Sequence, residues 1–319
     1  HFHGFETDYW RFTVGGEPQL WRAQLQGEGV HELWVSDNAG QLLQKVRAPG
    51  GAERIRLENL YLRPGEYFVG ASGTDGDYRL LLRPLGPPDP NGEIEPNDAY
   101  QHALTLAIGQ KRNGFLPELD DVDLYQFELA GPEHVRLTAF PPPDGTMSGV
   151  LAIGDNRGEI SMIHGQIPGQ PMVWDVFLSA GDYSLALNAR SLSDAEYHVT
   201  LERLEWFDGS VDREPNNNPE HASQLTPTGD IKGELGATRS KTDWYEVPDI
   251  TAPVEVRVPT WPGVHARLLD QNDLATNLLV RNAEGGGEAA SLSPGRRYLL
   301  ELTGSGDYDF NLFQTASAD

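Results

Sequence analysis

The sequence predicts an all-β fold, a tandem array of three β-sandwich, jelly-roll-like domains with little helix. Three observations predict it: a pattern that recurs three times, apolar residues that alternate along short segments, and a high content of Gly and Pro. The 319 residues include 35 Gly and 23 Pro, as is usual for proteins built from strands and turns. No segment sustains the 3.6-residue periodicity of an amphipathic helix.

Three landmarks define the recurring pattern. Each copy opens with an acidic residue followed by aromatic and apolar ones: Asp8-Tyr9-Trp10-Arg11-Phe12, Asp123-Leu124-Tyr125-Gln126-Phe127 and Asp243-Trp244-Tyr245-Glu246-Val247. A strand ending in an Asp follows, at Asp37, Asp155 and Asp270. A turn before a Tyr closes the set: Pro64-Gly65-Glu66-Tyr67, Ala180-Gly181-Asp182-Tyr183 and Pro294-Gly295-Arg296-Arg297-Tyr298. Landmarks that recur in one order indicate an internal repeat.

The repeat divides the chain into three domains, which we place at residues 1–86, 91–206 and 210–319. The first join, Leu85–Gly92, is rich in Pro and therefore fairly stiff. The second, Trp206–Arg213, is shorter.

Alternation of apolar and polar residues supports a strand assignment within each domain. Ile55–Leu57, Val135–Ala139 and Val254–Val258 alternate with period two, which indicates strands with one face in water. Several short strands per domain favour a two-sheet sandwich. We expect short helices at Ala99–Leu106 and Glu220–Leu225, each directly before a repeat body.

Copies two and three carry an acidic segment, here called the leader, upstream of their bodies. The leaders read Glu93-Ile94-Glu95-Pro96-Asn97-Asp98 and Asp212-Arg213-Glu214-Pro215-Asn216-Asn217. Glu93 and Glu95 point to one side if the segment is extended, and Pro96 disfavours helix. Asp120-Asp121-Val122-Asp123 adds carboxylates at the strand start. Calcium, with 6–8 oxygen ligands, would neutralise such a cluster; the alternative is a solvated acidic linker beside an acidic turn.

These residues also carry a family resemblance. Glu95-Pro96-Asn97-Asp98, then Ala103, Leu106, Gly109, Gly114 and Asp121-Val122-Asp123-Leu124-Tyr125, resemble the bacterial pre-peptidase C-terminal domain. Copy three matches through Glu214-Pro215-Asn216, Ala222, Leu225, Gly229, Gly233 and Asp243-Trp244-Tyr245. Residues 1–86 match through the body strands alone. The resemblance implies β-sandwiches attached to secreted bacterial enzymes and surface proteins, and its collagen-binding relatives in clostridial collagenases bind calcium.

The resemblance implies a calcium site in copy two, with the acidic leader and the strand Asp residues as ligands. The candidates are Glu93, Glu95, Asn97, Asp98, Asp121 and Asp123. A weaker second site in copy three would use Asp212, Glu214, Asn216, Asn217 and Asp243. Copy one keeps Glu6 and Asp8 of this set, and we predict no metal there.

Composition excludes several classes of function. A formal net charge of −24 argues against nucleic acid and anionic lipid as partners, since both need a basic surface. No apolar run reaches the ~18 residues of a membrane span, so we expect no membrane insertion. The absence of Cys excludes disulfides, thiol catalysis and Cys-ligated zinc. The polar start His1-Phe2-His3-Gly4 shows no signal peptide, and we expect any export signal upstream of it.

No catalytic residues emerge from the sequence. The Gly-x-Ser-x-Gly, His-Glu-x-x-His and Walker A patterns are absent, and the His residues after His3 occur singly. Paired carboxylates for glycoside hydrolysis could meet by folding, but no spacing singles out such a pair. Trp174, Trp206 and Trp261 do not recur between copies and are candidates for a ligand-binding platform that stacks on sugars. The recurring Tyr and Trp are expected in the core.

The resulting functional prediction is a non-catalytic binding, targeting or spacer array of an exported bacterial protein, with calcium-ordered leaders. We expect it to be secreted, periplasmic or at the cell surface, and to meet an unidentified extracellular polymer or protein. Two alternatives remain open. One is a set of carbohydrate-binding modules attached to a secreted enzyme, and the other is a purely structural, calcium-stiffened stalk.

Overall fold

The computed structural model describes residues 1–3, 6–48, 53–119, 121–155, 158–204, 212–236, 241–281 and 287–313. These residues form β-strands and two single turns of 3-10 helix, so the all-β prediction is confirmed. The two expected helices are shorter than predicted, at Tyr100–His102 and Pro219–His221. Each stops because the chain becomes extended again and pairs as a short parallel strand.

The described strands are numbered β1 to β25 in chain order. The first group is β1 (Glu6–Val14), β2 (Gln19–Gly27), β3 (Val30–Asp37), β4 (Leu42–Arg47), β5 (Arg54–Leu62), β6 (Gly65–Gly73) and β7 (Tyr78–Gly86). The second is β8 (Leu104–Thr105), β9 (Lys111–Gly114), β10 (Val122–Leu129), β11 (Glu133–Phe140), β12 (Thr146–Ile153), β13 (Gly158–His164), β14 (Met172–Leu178), β15 (Gly181–Ser191) and β16 (Tyr197–Arg203). The third is β17 (Ser223–Gln224), β18 (Asp230–Leu235), β19 (Thr242–Glu246), β20 (Val254–Pro259), β21 (Val264–Asp270), β22 (Val280–Arg281), β23 (Gly287–Leu292), β24 (Tyr298–Gly304) and β25 (Gly306–Asn311).

The same strand order recurs in the three groups. One sheet runs β4-β3-β6-β1 in the first, β13-β12-β15-β10-β8 in the second and β21-β24-β19-β17 in the third. The other sheet runs β5-β2-β7 in the first group and β14-β11-β16-β9 in the second. In the third group the pieces of this sheet are β22-β23-β20 and β18-β25. A shared order of non-consecutive strands gives each group the same connections between sheets.

Each group has its own apolar core among the described residues. The core of the second joins Tyr125 and Leu151 of one sheet to Val135 and Trp174 of the other, so two sheets face each other across it. The alternation seen in the sequence places every second residue of β10 inside, from Asp123 to Leu129. We call the segments 1–86, 91–204 and 212–313 modules one, two and three; the domain borders drawn from the sequence stay predictions.

The prediction that Trp174 contributes to an exposed sugar-binding platform is wrong. Its ring is 1% exposed and belongs to the core of module two. A Cβ added at Gly149 would lie 2.6 Å from the ring, so that glycine leaves the space the indole fills. A face that lies against protein on all sides offers no surface on which a sugar could stack.

No helix among the described residues is long and apolar enough to cross a bilayer.

We predict that Trp174→Ala lowers the free energy of unfolding by about 3–5 kcal/mol, because it leaves a large cavity in a closed core. Val173→Ala, at a neighbouring side chain that is 45% exposed, is the control and should change stability by about 0.5 kcal/mol or less. Urea unfolding followed by fluorescence measures both. Equal effects of the two substitutions would contradict the core assignment.

Candidate metal centre

The first leader lies between the edge strands of two modules. The N–H of Glu93 donates to the carbonyl of Asn113 on β9, at 2.9 Å. Two residues on, the N–H of Glu95 donates to the carbonyl of Asn59 on β5, at 3.0 Å, and its carbonyl accepts from the N–H of Tyr61. The leader is therefore an extended segment bound to module two at one residue and to module one at another.

This placement brings the predicted ligands of copy two together. Oxygen atoms of Glu93, Glu95 and Asp123 lie within 4.8 Å of one another, as do those of Glu95, Asp98 and Asp121. Glu95 belongs to both groups. All of these carboxylates except that of Asp98 sit on residues exposed by 7% or less.

The buried carboxylates of copy two have no compensating cation. No described Lys or Arg forms an ion pair with Glu93, Glu95, Asp121 or Asp123, whereas the buried Glu58 of module one is paired with Arg22 and Arg56. Burial, and next the charge of Asp123, raise the pKa values of Glu93, Glu95 and Asp121 well above their usual range. Burial also raises the pKa of Asp123 to about 7, against the opposing effect of its hydrogen bond from Tyr197. Charged carboxylates that lie this close together and are buried from water repel one another strongly.

Several oxygen atoms in the cluster have no hydrogen-bond partner. They are Glu95 Oε1, Asn97 Oδ1, Asp121 Oδ2 and Asp123 Oδ1. Asn97 is fully buried, and neither atom of its amide forms a hydrogen bond of normal geometry, although the amide lies close enough to Asp123 to lower the pKa of that carboxyl. Buried polar atoms are normally satisfied, and an ion is one of the partners that satisfies them. The orphaned amide is an observation independent of the acidic cluster, and the two together fit a metal centre.

Two buried tyrosines hold Asp123 in place. The hydroxyl of Tyr197 donates to Asp123 Oδ2, and the hydroxyls of Tyr125 and Tyr197 lie 2.6 Å apart. Gly114 makes room for this arrangement, because a Cβ there would lie 2.3 Å from Glu93 Oε2 and 2.4 Å from the Tyr197 hydroxyl. The hydroxyls fix one carboxylate oxygen of Asp123 and leave the other directed at the cluster.

Module three contains a corresponding cluster of three carboxylates. Oxygen atoms of Asp212, Glu214 and Asp243 lie within 4.8 Å of one another, and all three residues are buried. The Tyr245 hydroxyl donates to Asp212, that of Tyr308 donates to Asp243 at 2.6 Å, and the two hydroxyls lie 2.5 Å apart. The cluster thus repeats the tyrosine support seen in module two.

Among the described residues of module three, no group of carboxylates corresponds to the second group of module two. Asn217 stands at the position of Asp98, and its amide donates away from the cluster, to the Glu159 carbonyl at 2.9 Å. Lys241 stands at the position of Asp121. Asn216, in contrast, lies at the cluster: it is fully buried and its Nδ2 donates to Asp212 Oδ1 at 2.8 Å. The Nδ2 of Asn217 thus binds module two, while its Oδ1 is buried without a hydrogen-bond partner.

Module one retains part of the arrangement. The Tyr78 hydroxyl donates to Asp8, as Tyr197 does to Asp123. Glu6 accepts instead from the N–H of His3, at 2.8 Å. Among the described residues, Glu6 and Asp8 belong to no group of three close metal-ligating side chains.

The remaining ligand-binding candidates are Trp261 and Trp206. Trp261 is half-buried and packs against Phe310 and Tyr308, with ring centroids 5.1 and 6.5 Å away. Trp206 lies outside the described residues. No two of the Trp candidates are shown to form one platform.

Sequence reasoning missed the parts of the centre that do not carry charge. Tyr125 and Tyr245 recur between copies, and we expected their rings in the core without a role for their hydroxyls. Tyr197 and Tyr308 recur as the first residues of the closing strands. A buried Tyr usually finds a partner for its hydroxyl, so the recurrence of Tyr rather than Phe was an available signal. Asn59 donates through Nδ2 to Glu93 Oε1 at 3.0 Å. It belongs to the preceding module, and no repeated motif in the sequence points to its contact with Glu93.

We predict that Tyr197→Phe weakens divalent-cation binding by module two about tenfold, because groups that orient ligands typically contribute this much. Tyr183→Phe is the matched control, since the Tyr183 hydroxyl in the same module donates to the Ser179 carbonyl, outside the cluster. Isothermal titration with Ca²⁺ measures both affinities. Indistinguishable affinities would show that the tyrosine does not position Asp123.

No family model and no curated protein matches this chain. Among solved structures, it is similar to the pre-peptidase C-terminal domain of a collagenase from Bacillus anthracis, at 20% identity, with 31% of this chain and 94% of that chain covered and a TM-score of 0.28. It is also similar to a fucolectin from the serum of striped bass, Morone saxatilis, at 11% identity, with 63% and 83% covered and a TM-score of 0.19.

Proposed function

We propose that the chain is a non-catalytic binding, targeting or spacer arm of an exported bacterial protein, built from tandem copies of one pre-peptidase C-terminal-like sandwich, in which calcium orders the leaders. One observation carries the proposal. Buried carboxylates and an orphaned amide converge where the leader of module two meets its sandwich, with no cation among the described residues to compensate them.

The donor set favours calcium over other metals. Its members are carboxylate and amide oxygens, which suit hard cations, whereas zinc and copper prefer imidazole and thiolate. Glu93, Glu95, Asn97 and Asp123 surround one position, and Glu95, Asp98 and Asp121 the other. Magnesium usually keeps several waters, but the residues of the first position are exposed by 2% or less. Calcium accepts such a crowded, irregular set of ligands.

The groups that contact the carboxylates support a structural rather than a catalytic role. Tyrosine hydroxyls, amides and backbone N–H groups contact them, and none of these is a nucleophile or a base at neutral pH. Calcium is abundant outside cells, where modules bind it with Kd values of about 10⁻⁴–10⁻³ M. An exported protein could therefore use the ion as a permanent part of its fold. The ligand or surface that the arm serves is proposed to be an extracellular polymer or protein.

We predict that Ca²⁺ raises the thermal unfolding midpoint of the chain relative to chelator. An ion bound by the folded state alone stabilises it by about 2.7 kcal/mol at 100 times its Kd. Scanning calorimetry in EGTA, in Ca²⁺ and in Mg²⁺ at equal ionic strength separates specific binding from charge screening. A thermal unfolding midpoint that does not change in millimolar Ca²⁺ would contradict the proposal.

We predict that Glu95→Gln abolishes most calcium binding by module two, because Glu95 belongs to both groups of ligands. Glu128→Gln, an exposed residue on the same strand as Asp123, is the matched control and should bind calcium normally. Asp243→Asn should remove the site of module three alone. Titration calorimetry of the three variants gives both affinity and stoichiometry, and module two should bind one ion more than module three. Equal ion counts in the two modules would contradict the two-group assignment.

A further inference from the structure

The junction between modules one and two is built around the same leader that carries the carboxylates. The leader of module two pairs with the open edge of β5 through the hydrogen bonds of Glu95 to Asn59 and Tyr61. It pairs with the open edge of β9 through the hydrogen bond between Glu93 and Asn113. The sheets β5-β2-β7 and β14-β11-β16-β9 are thereby joined through one shared segment. The residues that link the two modules by their backbone are thus the residues whose side chains enter the centre.

Module one also reaches the centre with a side chain. Asn59 Nδ2 donates to Glu93 Oε1 at 3.0 Å. Asn59 is also the one non-glycine residue in the described ranges with a positive φ, at 51°, a conformation that Asn tolerates better than most residues. Backbone conformations of this kind concentrate at functional sites. Here the conformation belongs to Asn59 of module one, which contacts the predicted ligand Glu93 of module two.

The leader of module three meets its predecessor through different residues. The N–H of Glu214 donates to the Phe177 carbonyl on β14, at 2.8 Å. Phe177 has an apolar side chain in the place of Asn59, and the Arg213 guanidinium lies 5.3 Å from the centre of its ring. Asp212, which corresponds to Glu93, accepts side-chain hydrogen bonds from Asn216 and Tyr245 of its own module. The hydrogen bond from Asn59 to a leader carboxylate therefore belongs to the junction of modules one and two.

We propose that Asn59 of module one is a positioning residue for the calcium centre of module two, so that docking of the two modules and ion binding strengthen each other. The proposal rests on the proposed calcium function. Binding free energies linked in this way are reciprocal: whatever holds Glu93 in place raises ion affinity, and a bound ion holds the leader in the groove between β5 and β9. The interaction surface is the β5 edge together with Asn59, and its partner is the leader.

The test removes the Asn59 side chain from the full chain by Asn59→Gly, which keeps the positive φ accessible. Asn38→Gly, in an exposed turn of module one, is the matched control. Both variants also carry Asp243→Asn, so that titration calorimetry reports on module two alone. We expect Asn59→Gly to weaken calcium binding about tenfold and Asn38→Gly to leave it unchanged.

A second readout reports on docking itself. The chain has no Cys, so Glu17→Cys in module one and Glu128→Cys in module two, both exposed, accept spin labels without further changes. We expect the distance distribution between the labels to be narrow with Ca²⁺ and broader in EGTA, and to broaden with Ca²⁺ present when Asn59→Gly is added. If Asn59 had a purely structural role, Asn59→Gly would lower the stability of the chain but would leave the narrowing of the distance distribution by Ca²⁺ unchanged.

The outcomes separate the two proposals. If calcium neither binds nor stabilises the unmodified chain, the proposed function fails. If calcium binds and stabilises it, but Asn59→Gly matches Asn38→Gly in affinity, the role of module one in the centre is wrong. A distance distribution indifferent to calcium in the unmodified chain would overturn the reciprocal coupling in the same way.

Discussion

The buried carboxylates at the start of module two repel one another, and the arrangement of this end of the module depends on how that repulsion is balanced. A buried Glu93, Glu95 and Asp123 would repel one another in a dry environment. Their pKa values are accordingly raised, chiefly by burial. Hydroxyls, amides and backbone N–H groups contact these carboxylates, and no described Lys or Arg forms an ion pair with them. The proposed calcium completes an arrangement that the polypeptide leaves incomplete.

The leaders meet a second constraint at the same time. β5, β9 and β14 lie at the edges of their sheets, and unpaired edges are liabilities that proteins cover or blunt. The leader of module two covers part of β5 and β9, and the leader of module three covers part of β14. A single extended segment therefore satisfies exposed backbone groups on its two neighbours and delivers carboxylates to a cluster.

The sequence predicted the fold class and the cluster well because both leave local patterns. Alternating apolar residues in Val135–Ala139 predicted a strand with one buried face, and Glu93, Glu95 and Asp123 were chosen as ligands because a repeated motif joins them. The structure brings those residues together. Trp174 was misjudged: it does not recur between copies, yet it lies on β14 and its buried ring fills the space above Gly149. Asn59 could not be predicted, since its role depends on how one module meets the next.

The shared leader gives the array a direction of growth. Each later unit brings the segment that covers the bare edge of the unit before it, together with the acidic residues of its own cluster. Duplicating the coding region for one such unit would thus add a domain together with its backbone attachment to the preceding sheet edge. Side-chain contacts such as that of Asn59 would then adapt each new junction separately.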